Sequence, residues 1–179
     1  QMCIRDSPER DLSLVVHGDD FTFCGLEEDL EWIKNLMAEW FDIKVRGILG
    51  GDENDVKQIT LLGRIVTWTP EGIEYEADPR HAEIIIKELG LSEAKPVTTP
   101  GIKEEGRTKE FHTKPLNTTY AGAHRSLPAR LNYLAADRPD ISFAVEESAR
   151  IMTAPTEGSW VQLERMGRYL LSKPRMVTM

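Results

Sequence analysis

Asp19 and Asp20 stand side by side between two apolar runs, Leu12 to Val16 and Phe21 to Cys24. Adjacent carboxylates repel unless a cation lies between them, so a turn that presents both can hold a divalent ion. Hard oxygen ligands suit Mg2+ or Mn2+, which keep waters and substrate phosphates as their remaining ligands. Such an arrangement serves in-line phosphoryl transfer, where two ions roughly 3.5–4 Å apart activate a hydroxyl and steady a leaving phosphate. Taken alone, a solvated Asp-Asp bend is the commoner use of these residues. The weight therefore falls on what surrounds them.

The surroundings predict a hairpin. The flanks alternate or run apolar, and Gly18, Asp19 and Asp20 supply turn chemistry. A helix is expected over about 27–41, with Leu30, Ile33, Met37, Trp40 and Phe41 at helical spacing and Glu27, Glu28 and Asp29 suiting its N-terminal dipole. After a Gly- and Asp-rich loop over 47–57, Ile59 to Trp68 reads as one strand and Ile73 to Ala77 as its return. Asp78 as cap and Pro79 as first residue start a helix with Ala82, Ile85, Ile86 and Leu89 on one face, closed by Gly90. Residues 95–118, with Pro96, Pro100, Gly101, Gly106 and Pro115 among mixed charges, predict a linker.

Helices over about 119–136, 138–152 and 157–171 fill the rest. Pro128 either kinks the first or marks its start. Asp137 and Asp140 make a capping-box-like start for the second, and Thr156 caps the third. The expected fold is α+β, divided into 8–94, a linker over 95–118 and a helical region over 119–179. Residues 1–7 join no periodic pattern and resemble a translated sequencing-adapter scar, so they are left outside it.

Composition narrows the classes. Apolar residues make up 40% and charged residues 29%, and no apolar run approaches bilayer length. Two cysteines, Cys3 and Cys24, make no disulfide framework and point to reduced thiols in an intracellular protein. The net charge of −8 opposes simple nucleic-acid affinity. It is uneven, however: residues 120–179 hold eight Lys/Arg and six Asp/Glu, net +2, and the remainder is net −10. The C-terminal part is the better candidate for a phosphate backbone. His81, His112 and His124 show no zinc spacing with either cysteine, and His81 is expected as an exposed first-turn residue. Trp32, Trp40 and Trp160 fall on apolar faces and read as core; Trp68 is the one placed to contact nucleic acid. Gly50-Gly51-Asp52-Glu53 is similar to the diguanylate cyclase signature but continues as Asn54-Asp55 in a polar loop, which marks a chance turn.

Val15-Val16-His17-Gly18-Asp19-Asp20-Phe21 resembles the Tyr-x-Asp-Asp hairpin of reverse transcriptases, and the order of later segments resembles Copia-type retrotransposons. These segments are Phe41-Asp42-Ile43-Lys44, then Leu61 to Ile65 with Gly72-Ile73, then Lys95-Pro96-Val97-Thr98-Thr99-Pro100. They continue with Arg125-Ser126-Leu127, Leu131-x-Tyr133-Leu134, Arg138-Pro139-Asp140-Ile141-x-Phe143-Ala144-Val145, Pro155-Thr156-Glu157 with Trp160, and Arg168-Tyr169-Leu170. The likeness covers about residues 11–175. Each motif is weak; their order and spacing are specific.

The resemblance implies a partial polymerase palm, made of the Asp-Asp hairpin, a helix and a primer-grip hairpin, followed by a helical thumb and connection. By it Asp19 is a metal ligand with Asp20 beside it, and the ion is Mg2+ or Mn2+. Leu62, Gly63 and Arg64 hold the primer end, and Lys44 falls where polymerases place a general acid, although a solvated helix-end lysine accounts for it equally. His17 stands where the family has Tyr, beside the primer terminus. Primer-template and deoxynucleoside triphosphates are the implied partners, together with upstream palm and fingers and a downstream ribonuclease H of one polyprotein. The implied setting is cytoplasmic, within virus-like particles. A second catalytic aspartate belongs upstream of the hairpin, so turnover by this stretch alone is expected to be negligible. Three readings stay open: a piece of an RNA-directed DNA polymerase, a non-catalytic primer-template binding module, and a degenerate remnant.

Overall fold

Two antiparallel sheets and five helices make up the residues that the computed structural model describes, 2–7, 9–101 and 113–179. The α+β expectation holds. The chain falls into two compact units, Gln1–Ile48 and Leu49–Met179.

The first unit is a three-stranded sheet, β1 (Met2–Ser7), β2 (Leu12–His17) and β3 (Asp20–Gly25), in the order β1-β2-β3, followed by α1 (Glu27–Trp40). β2 and β3 pair from Leu12↔Gly25 to His17↔Asp20, which is the predicted hairpin. The opening residues do not stay outside the fold. β1 pairs with β2 from Met2↔His17 to Ser7↔Leu12. An open strand edge presents a row of N–H and C=O groups that any extended neighbour can satisfy, and that needs no hydrophobic period. No residue of α1 is buried. Trp32 is 40% exposed under the Arg10 guanidinium, and Trp40 and Phe41 are 74% and 60% exposed, so two of the expected core tryptophans are not core.

The second unit carries β4 (Gln58–Leu61), β5 (Arg64–Thr69), β6 (Gly72–Ala77) and the short β7 (Val177–Thr178), in that order. The single strand expected over Ile59 to Trp68 is two. Leu62 (φ 49°) and Gly63 (φ 75°) are both left-handed, the pattern of a type I′ two-residue turn, and Leu61 pairs with Arg64 across it. The sequence hides this turn because a leucine occupies one of its positive-φ positions.

Four helices follow: α2 (Arg80–Glu88), α3 (Thr118–Ala135), α4 (Pro139–Arg150) and α5 (Glu157–Ser172). The Asp78 carboxylate accepts the Arg80 amide, as its predicted capping role requires. At the other end Gly90 (φ 67°) donates to the Lys87 carbonyl and Leu91 to the Ile86 carbonyl, a Schellman closure. α3 continues unbroken across the buried Pro128 instead of starting there. Asp137 and Asp140 do not form the expected cap: α4 has no side-chain cap, and both carboxylates bind elsewhere. Thr156 does cap α5, in a reciprocal pair with Ser159.

The core lies among these helices. Ile85, Leu127, Leu131, Ile141, Leu163 and Leu170 are all fully buried. The front of the expected linker is docked rather than loose. Val97 donates to the Arg168 carbonyl, Arg168 donates to the Lys95 carbonyl, and the Ser172 hydroxyl donates to the Val97 carbonyl, strapping 95–99 along α5. Gly167 makes room for the approach of Leu89 and Leu91, since a Cβ there would lie 2.8 and 2.7 Å from their methyl groups. The rest of that linker, 102–112 with Gly106 and His112, lies outside the described residues. Among the described residues no helix is long and apolar enough to cross a membrane.

Candidate functional site

The Asp-Asp hairpin turns through Gly18 and Asp19. Gly18 has φ +63° and Asp19 has no positive φ, the backbone signature of a type II′ turn with Gly first. A Cβ on Gly18 would meet nothing within 4 Å, so glycine is needed there for its backbone and not for space. His17, Gly18, Asp19 and Asp20 are all exposed at the tip. His17 lies directly opposite Asp20, so the two side chains leave the same face, with Cβ atoms about 5 Å apart.

The two carboxylates differ. Asp20 accepts a hydrogen bond from Arg46 Nη2 at 3.2 Å, whereas Asp19 makes no hydrogen bond or ion pair among the described residues. Both ends of the Arg46–Asp20 pair are exposed, so it is worth about 0–1 kcal/mol and yields readily to a stronger cation. Two hard carboxylates at an open tip fit Mg2+ or Mn2+ by donor chemistry. They supply part of a cage only: among the described residues no group of three His, Cys, Asp or Glu could hold a metal. Asp6 of β1 pairs with Ser13, at the far end of the hairpin. Lys44 is exposed in the irregular stretch beyond α1 rather than at the helix end, and has no ion pair among the described residues.

The second constellation surrounds the Leu62-Gly63 turn. The Leu62 carbonyl accepts from the Tyr133 hydroxyl at 3.2 Å and from Arg64 Nη1 at 3.3 Å. Arg64 Nε donates to Asp137 Oδ1 at 3.1 Å, and the Tyr75 hydroxyl donates to the same oxygen at 2.5 Å. Burial works against the Arg64 charge, but the bond and charge of Asp137 outweigh it and raise its pKa. The Tyr75 hydroxyl is pushed up as well, first by burial and then by its bond to Asp137. His81, expected exposed, packs its ring 4.8 Å from that of Tyr133 and has a buried Nδ1. Leu62, Gly63 and Arg64 thus lie at a two-residue turn that the expected single strand did not include. Tyr75, Asp137 and Arg46 were missed as site residues, because each acts through a partner between 26 and 73 residues away; Tyr133 was singled out only as part of a family motif.

Gly63 is required twice. Its φ is left-handed, and a Cβ would lie 2.8 Å from the Tyr133 hydroxyl. Gly63→Ala should therefore cost about 1–2 kcal/mol from backbone strain alone, with the Tyr133 bond displaced in addition. Thermal unfolding measures it, and an unchanged midpoint would refute this account of the turn.

Trp68 is less available than its sequence position suggests. The Gly51 backbone lies against its ring, and Lys57 Nζ sits 5.2 Å from the ring centroid. Much of the C-terminal positive charge is also engaged. Arg138 pairs with Asp140, Arg175 with Glu76, Arg150 with Glu146 and Glu147, and Arg130 with Glu88 at 3.9 Å. Arg125, Arg165 and Arg168 have no carboxylate partner among the described residues; Arg165 donates to Thr99 and Arg168 to a carbonyl.

The chain is 32% identical over 162 residues to the retrovirus-related Pol polyprotein from transposon RE2 of Arabidopsis thaliana, a match covering 90% of the chain and 10% of that protein. It is 36% identical over 113 residues to the retrovirus-related Pol polyprotein from transposon RE1 of the same plant, covering 63% of the chain and 7% of that protein. A third match, 29% over 109 residues, is to the Arabidopsis uncharacterized mitochondrial protein AtMg00810, of which it covers 43%. The chain spans a tenth or less of the length of the two polyproteins. No family model and no solved structure matches it.

Proposed function

Because the chain is homologous to the retrovirus-related Pol polyproteins of Copia-type transposons, we propose that it is a segment of an RNA-directed DNA polymerase. On this reading the first unit and the β4–β6 sheet are the later part of the palm, and the helices are thumb and connection. The observation that carries it is the pair of exposed carboxylates on a glycine-turned hairpin, inside a stretch matched over 90% of its length to a Pol polyprotein.

Asp19 and Asp20 would hold the ion, and bound Mg2+ or Mn2+ supplies Lewis-acid activation of the primer hydroxyl and stabilisation of leaving pyrophosphate. His17, on the same face as Asp20, would lie against the primer end. The Leu62-Gly63-Arg64 turn would hold the primer backbone, and Lys44 would donate a proton to pyrophosphate. Primer-template and deoxynucleoside triphosphates are the partners, in the cytoplasm and within virus-like particles. Two carboxylates make a poor cage, so the segment alone is expected to bind metal weakly and turn over negligibly.

Manganese tests the site directly. Titrating Mn2+ into the labelled chain should broaden the amide signals of residues 18–21 first, and Asp19→Asn should require at least about tenfold more metal for equal broadening. Broadening spread evenly over the acidic surface would reject the site.

A second reading, a primer-template binding module without catalysis, draws on Arg125, Arg165 and Arg168. It requires duplex binding that falls steeply with salt. A chain that binds neither Mn2+ at the hairpin nor duplex would be a degenerate remnant.

A further inference from the structure

We propose that Asp137 is a positioning residue for Arg64, fixing its guanidinium at the Leu62-Gly63 turn with one edge left for a phosphate of bound duplex. The inference deepens the primer-holding reading above and rests on it. Two arginines of the same unit meet aspartates in different ways. Arg138, 1% exposed, uses its fork in full, with Nε to Asp140 Oδ1 at 2.9 Å and Nη2 to Oδ2 at 2.8 Å. That is how a purely structural pair closes on itself. Arg64 meets Asp137 through Nε alone, and its Nη1 turns back to the Leu62 carbonyl. Its Nη2 is spent on neither Asp137 nor the Leu62 carbonyl, with the Tyr75 hydroxyl beside the guanidinium, and 27% of its side chain stays exposed.

The supporting carboxylate is buried and shared between two donors. Asp137's side chain is 6% exposed, its Oδ1 takes both Arg64 and Tyr75, and its Oδ2 is buried without a partner among the described residues. The Tyr133 hydroxyl fixes the Leu62 carbonyl that receives Nη1, and the Tyr133 ring lies 6.0 Å from the guanidinium. Asp137 and the turn therefore orient the head from one side, and the Nη edge, which suits a phosphate in shape and charge, remains for a ligand.

The sign of one substitution separates this role from its rivals. Neutralising a carboxylate beside a polyanion site should tighten binding if only net charge matters. If Asp137 positions Arg64, the near-isosteric Asp137→Asn should weaken it. With the full 179-residue chain and a fluorescent primer-template duplex, Asp137→Asn is expected to lower affinity about three- to tenfold with the salt slope unchanged. Arg64→Gln should reduce that slope by about 1, as loss of one phosphate contact does. A parallel readout is the Arg64 Nε–H signal, expected to be protected from exchange in the parent chain and lost in Asp137→Asn.

Tighter or equal duplex binding by a folded Asp137→Asn chain, or an unaltered Nε–H signal, overturns the proposal. Should Asp137→Asn not fold, Tyr75→Phe takes its place. That variant removes only the hydroxyl that holds Oδ1, and affinity weakened about twofold or more supports the role while unchanged affinity rejects it. A parent chain that binds no duplex at low salt defeats the primer-holding reading itself. Duplex binding by the parent with an indifferent Asp137→Asn defeats only the positioning role.

Discussion

Arg138→Ala is expected to destabilise the larger unit by about 3–5 kcal/mol, the cost of stripping one partner from a buried ion pair. Arg138 is almost wholly buried and closes its fork on Asp140, and it also donates to the Lys173 carbonyl at 3.0 Å, just past the end of α5. Asp140 would keep the Tyr169 hydroxyl, 2.8 Å away, and a backbone amide, with no cation beside it among the described residues. Burial alone would push the Asp140 pKa up; the bonds from Arg138 and Tyr169 and the Arg138 charge more than reverse it and leave the pKa lowered. A lowered carboxylate stabilises the fold above its ordinary pKa near 4, and that contribution fades as pH falls through the folded-state value. The deficit of Arg138→Ala should thus be largest at neutral pH and shrink in acid. Denaturant unfolding at pH 7 and near pH 3.5 checks both parts. A loss under about 1 kcal/mol at neutrality would show that α4 and α5 are held by apolar packing alone. Domains of this size have only about 5–15 kcal/mol in total, so the larger value would leave a fraction of the chain unfolded at 37 °C.

Asp19→Asn, introduced into a full-length Pol polyprotein carrying this segment, should lower primer extension by about a thousandfold or more, equivalent to roughly 4 kcal/mol of transition-state stabilisation. An amide keeps the size of the carboxylate and removes the charge that a divalent ion requires. Arg46→Ala is the informative contrast. Arg46 pairs with Asp20; on the proposed reading it would compete with the ion there, so its loss should leave extension intact and lower the Mg2+ concentration needed for half-maximal rate. Extension at the parent rate by Asp19→Asn would end the assignment of that residue. Loss of extension in Arg46→Ala would instead make the guanidinium part of the working site.

Local signals carried most of the elements. The Asp78 cap, the Gly90 closure, the Thr156 cap and a turn beginning at Gly18 each depend on residues within a few positions of one another, and each was visible; the Ser159 half of the cap and the turn type were not. What could not be read depends on distance. Leu62 adopts a left-handed conformation that its type disfavours, held there by Tyr133 from 71 residues on. Asp137 looks like a helix cap beside Pro139, yet it is claimed by Arg64 and Tyr75 from the sheet. The run from Lys95 to Thr99 has linker composition but docks on α5, because its backbone finds partners at Arg168 and Ser172. Trp40 sits at core spacing on α1 and is exposed, since periodicity reports an apolar face without naming what covers it. Asp19 and Asp20 were legible as adjacent carboxylates between apolar strands; the Arg46 ion pair to Asp20 was not.

The strap and the packing of α2 against α5 also govern when the larger unit can form. Ala82 and Ile85 are buried in a core completed by Leu163, Met166 and Leu170, some eighty positions later. Closing so long an interval has to precede any reward from burial. During synthesis α2 would therefore emerge with its apolar stripe uncovered and wait for α5. Over that interval the nascent chain would carry a sticky intermediate, and chaperones would have their best opportunity to engage it.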